Sequence, residues 1–227
     1  MGDEGGLMAI SDWLQLMLPQ IEPEFSRDGC WIAQIMARSV EHNPPLYWLG
    51  SAFDQIGPAE NGEDTRLTDR IGERLRALHG PHVCEGWTEE DERAQDVLTE
   101  ACAIAWTARH LGPPELSEAG DRLLVRVPSV DACVAPRRLW PVRTLEAMVQ
   151  LTGEQVEAAA ADLPDSNRRI VYIDINLALD AYARNPGYDG PMTEPLRESV
   201  KFLGQERGLG WVLTRPFEWG VPLEAWY

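Results

Sequence analysis

The chain has 227 residues, 44% of them hydrophobic, and a formal net charge of −17, enough apolar material for one large domain or two small ones without disulfide staples. Lys201 is the single lysine among 20 basic residues facing 37 carboxylates, which excludes families that need a lysine in a fixed motif and argues against gripping nucleic-acid phosphates, a task for clustered Lys and Arg. The acids gather at the front: residues 1–115 hold 21 of them against 8 arginines.

Residues 1–9 read as a flexible acidic, glycine-rich tail, without the basic and apolar regions of a signal peptide. No apolar run reaches the roughly 20 residues that span a bilayer. Cys30, Cys84, Cys102 and Cys133 lie far apart with no tight framework, as in a reducing compartment. The expected setting is the cytoplasm of a bacterium, with no membrane and no bound cofactor.

Ser11 caps a first helix that carries Trp13, Leu14, Met17 and Leu18 until Pro19 stops it. Trp31, Ile32, Ile35, Met36 and Val40 then recur at three- and four-residue spacing, the period of a helix with one buried face. A short aromatic helix is predicted over 46–56, an exposed loop over 57–65, and an amphipathic helix laced with ion pairs over 66–78. The clearest helix starts after Thr88 as N-cap, with Asp91 three positions on as capping acid. Its first turn holds Glu89, Glu90 and Glu92 against the positive end of the dipole, and it runs to about Leu111. Its apolar, alanine-rich middle calls for neighbours on several sides.

After Pro114 the composition changes. Leu123, Val125 and Val127 alternate with Arg122, Leu124 and Arg126, and Val130 to Val134 follows Pro128 and Ser129, so one strand or two are predicted here. Helices are expected over 145–151 and 154–163. The β-branched run RIVYIDI over 169–175 is the best strand, with the near-continuous hydrophobicity of a buried one. A short helix over 177–184, a firm amphipathic helix over 193–207, a strand over 211–213 and an aromatic tail complete the layout. The expected fold is α+β, with a helical N-terminal half packed on a small mixed sheet in the C-terminal half. Its regions are the tail 1–9, a helical acidic region 10–114 and an α/β region 115–227, or one domain spanning the last two.

Known catalytic motifs fail one by one. Lys201 is followed by Phe202 inside a helix, so no P-loop exists, and kinase motifs, a GxSxG elbow, HExxH and an EF-hand loop are all missing. His79, His82 and Cys84 form the densest set of soft metal ligands, but they follow a helix whose C-terminus accounts for His79 and Gly80 without a metal. Asp174, Asn176 and Asp180, at and beyond the end of the best strand, are where a metal-dependent hydrolase or nuclease places carboxylates. Against this, Asn176 has an ordinary role as cap of the next helix. Gln205, Gly208 and Gly210 share the Q-x-x-G-x-G spacing with which acetyltransferases present amides to the coenzyme A pyrophosphate, yet a helix precedes them rather than follows, which marks a helix C-cap. Arg137, Arg138 and Arg143 around Trp140 are candidates for holding a phosphate or carboxylate by bidentate hydrogen bonds. They serve equally well as internal counter-charge.

The leading expectation is a non-enzymatic protein whose acidic surface engages a basic protein partner, as an immunity or inhibitor protein or as an accessory subunit of a bacterial assembly. Glu60, Glu63, Asp64, Glu89, Glu90, Asp91 and Glu92 are the expected partner-facing residues. The alternative is the metal-dependent hydrolase built on Asp174 and Asp180.

Overall fold

The computed structural model describes residues 89–120, 122–140, 142, 144–175, 193–214 and 222–226. The chain divides between Ala101 and Cys102, and the second unit, Cys102–Tyr227, holds nearly all of the described structure. Its elements in order are α1 (Glu89–His110, which carries the division), β1 (Glu115–Ala119), β2 (Arg122–Val127), β3 (Ala132–Arg138), α2 (Leu145–Asp162), β4 (Arg168–Asp174), α3 (Thr193–Arg207), β5 (Gly210–Thr214) and β6 (Pro222–Trp226).

The six strands form one sheet in chain order. β1 pairs with β2 and β2 with β3 antiparallel, β3 with β4 and β4 with β5 parallel, and β5 with β6 antiparallel. A parallel neighbour needs a crossover, and α2 and α3 supply one each. α2 packs on β3 and β4, α3 packs on β5, and the two helices pack on each other, so both cover the same face. Between sheet and helices lies a core of Cys133, Ala135, Val171, Ile173, Trp211 and Leu213 from the strands, closed by Met148, Val156, Ala159, Leu196 and Val200 from the helices. The side-chain period of two sends the alternate residues, Val134, Tyr172, Asp174, Val212 and Thr214, to the other face, where they too are buried.

This overturns the expected α+β architecture. The described residues are an interleaved α/β arrangement with a six-stranded mixed sheet, not a helical half packed on a small sheet. The reason is local: from Ala132 to Thr214 strand, helix, strand, helix and strand follow one another, and two successive crossovers must build a parallel centre. The helices expected before residue 89 and the one over 177–184 lie outside the described residues.

Several boundaries differ for physical reasons. α2 is one helix through Gly153 rather than two, because Met148, Thr152, Val156 and Ala159 keep one buried face across the glycine, and an isolated glycine inside such a pattern is tolerated. Thr144 caps it by accepting from the Ala147 amide at 3.2 Å. β3 continues past Val134 through Pro136, a residue that central strands normally refuse. The β2 pairing ends at Val134, so Pro136 costs no ladder bond on that side, and its carbonyl accepts instead from Arg137 Nη1 at 2.6 Å. α3 ends where the sequence predicts, and Gly208 (φ +63°) takes the left-handed turn that leads into β5, with Leu209 N donating to Gly204 O at 2.8 Å. Of the glycines of Q-x-x-G-x-G, Gly208 thus closes a helix and Gly210 opens β5.

Candidate functional site

The carboxyl ends of β3, β4 and β5 lie side by side, the place where open α/β sheets receive ligands. Their final residues, Arg138, Asp174 and Thr214, are direct register partners. Two backbone bonds beyond them tie the strand ends together, Leu139 N to Asp174 O at 2.8 Å and Ile175 N to Thr214 O at 3.0 Å. All three side chains are buried, at 5%, 2% and 3% exposure, on a face that is otherwise apolar. Tyr172, two residues back on the same face, shares a side-chain hydrogen bond with Thr214. From α1, Trp106 meets the Tyr172 ring at a centroid distance of 6.1 Å. The Arg138 guanidinium lies 4.0 Å over the Trp140 ring, a cation–π contact that fixes the plane of its fork.

The electrostatics of this row decide what chemistry it can perform. Burial pushes the Cys102 thiol far above its ordinary value, and the negative charge of Asp174 adds to the shift. Burial likewise pushes Tyr172 well up, with Cys102 and Asp174 reinforcing it and the Thr214 hydrogen bond opposing it. Both groups keep their protons throughout the neutral range. Neither is an activated nucleophile, since the thiolate or phenolate is the reactive form. The row is a buried set of one cation, one carboxylate and neutral hydroxyl groups.

The candidate anion-binding arginines part company. Arg137 and Arg138 are consecutive on β3 and point to opposite faces. Arg137 is buried on the helix-covered side, where Nη2 meets Asp162 Oδ2 at 2.6 Å. The same carboxylate oxygen receives Arg122 at 3.3 Å, so the last residue of α2 clamps two arginines. Arg138 belongs to the strand-end row, and Arg143 lies outside the described residues. Of the candidate hydrolase residues, Asp174 sits in the row with a cationic register neighbour, while Asn176 and Asp180 lie outside the described residues. So do Glu60, Glu63, Asp64, His79, His82 and Cys84. Glu89, Glu90, Asp91 and Glu92 form the first turn of α1. Among the described residues no group of three or more His, Cys, Asp or Glu side chains is placed to hold a metal ion. No described helix is long and apolar enough to cross a membrane.

Tyr172 and Thr214 are row members that the sequence does not announce, and Cys102 on α1 feels the charge of Asp174. Tyr172 was within reach, because it stands two residues before Asp174 on the strongest predicted strand and shares its face. Compared with known proteins, the chain matches no family model, no curated sequence and no solved structure.

Proposed function

We propose that the protein acts by binding, with the acids of its front (Glu60, Glu63, Asp64, Glu89, Glu90, Asp91 and Glu92) docking a basic protein partner. An immunity or inhibitor protein against a basic toxin or nuclease, or an accessory subunit of a bacterial assembly, uses a surface of this charge. One observation supports the reading: four arginines of the second unit have acid partners within that unit. Arg122 and Arg137 share Asp162, Arg197 pairs with Glu194 and lies near Glu198, and Arg207 meets Glu157 at 2.7 Å. The front, with 21 acids against 8 arginines, holds more negative charge than its own arginines can balance. Steering by such a surplus accelerates encounter at low salt and fades as the Debye length shrinks. The test takes the partner retrieved from the source cells and measures its association rate with the full chain across ionic strength. A steep fall with salt, and a rate lowered about tenfold or more at low salt when Glu89, Glu90 and Glu92 become Gln and Asp91 becomes Asn, is the expected result. A rate indifferent to salt overturns it.

A second reading is favoured by the strand-end row, where Arg138, fixed on Trp140 beside Asp174 and Thr214, suits a small ligand carrying a phosphate or carboxylate. A ligand bound only by the native state raises the melting temperature. Inorganic phosphate and a small dicarboxylate are the probes, and the ligand-induced shift is compared between the wild type, Arg138→Lys and Thr214→Val. No shift in the wild type, or an undiminished one in Arg138→Lys, rejects this site.

A further inference from the structure

We draw no further inference here: the strongest candidate, the exposed stripe of Glu194, Glu198, Phe202 and Glu206 along α3, carries nothing because nothing in the structure shows what covers it.

Discussion

Replacing Asp162 with Ala should cost about 2–3 kcal/mol of folding stability, far more than its place at a helix end suggests. The carboxylate serves two arginines of unequal standing: the Arg137 side chain is 3% exposed and that of Arg122 is 50% exposed. A half-exposed pair contributes about 0–1 kcal/mol, so Arg122 sets only a small part of the loss. The larger part is Arg137, whose charge would remain buried without its 2.6 Å partner. Removing one member of a buried pair costs about 3–5 kcal/mol. Asp162 itself is 27% exposed, and water reaching the vacated site lowers the loss toward the strength of a charged hydrogen bond, about 1.5–3 kcal/mol. Arg137→Met removes the buried charge together with its need for a partner and leaves Asp162 to water and Arg122, so its cost, about 1–2 kcal/mol, is mainly that of the Pro136 carbonyl left without its donor. The predicted order of destabilisation is therefore Asp162→Ala, then Arg137→Met, then Arg122→Ala. Urea unfolding of the full chain reads it as shifts in midpoint at constant slope. If Arg122→Ala proves as costly as Asp162→Ala, or if Asp162→Ala changes stability by less than about 0.5 kcal/mol, the buried clamp is misassigned.

Two glycines, one in each crossover helix, should respond oppositely to alanine. At Gly153 the new Cβ makes ordinary contact with Leu203, so the gain in helix propensity prevails and stability rises by about 0.5–1 kcal/mol. At Gly204 it would stand 3.1 Å from both the Leu209 carbonyl oxygen and Trp211 Cδ1, an overpacking that costs about 1–3 kcal/mol. Thermal melting of both variants checks this, and shifts of the same sign would contradict either the packing of α2 on α3 or that of α3 on β5. Alkaline pH offers a separate probe, because burial pushes the Cys133 thiol from 9.0 up to about 11. The folded state keeps a proton that the unfolded chain has already released, so this stabilisation is whole below the unfolded value and is lost as pH climbs from there through 11. Cys102 and Tyr172 shift in the same direction and steepen the loss. Unfolding free energies that stay level from about pH 8 to pH 10.5 would show these groups to be accessible to water in the native state.

How far the sequence announces this fold depends on how much of each element's character is local. α3 is foreseen end to end, and α1 nearly so. A capping acid, an acidic first turn and a 3.6-residue apolar period are properties of consecutive residues. β4 stands out for the same reason, as a β-branched run buried on both faces. β1 escapes notice because ELSEA is polar and half-exposed, as an edge strand is free to be. β6 escapes because PLEAW is defined by its register against β5, with Trp226 opposite Trp211, and not by its composition. The interleaving of helix and strand after Ala132 was present in the order of the predicted elements. What hid it was Pro136 and the pair Arg137 and Arg138, residue types that ordinarily end a strand, whereas β3 uses Arg137 to satisfy the carbonyl of Pro136.

The candidate site illustrates the limit more sharply. Asp174 and Arg138 are each visible as charged residues near the end of an apolar run, but nothing local relates them across 36 positions. Their adjacency follows from a parallel register that pairs Ala132 with Arg168 and so brings Arg138 opposite Asp174, and from a second that brings Asp174 opposite Thr214. Each register is set by which residues the crossover helices bury, because a slip of one residue would turn Ile173 and Val171 away from α2 and α3 and deliver Asp174 into the core between them. The polar row and the apolar core are therefore two consequences of one alignment. A substitution that weakens the Ile173 side of β4 should loosen the row on the opposite face even though it touches none of its members.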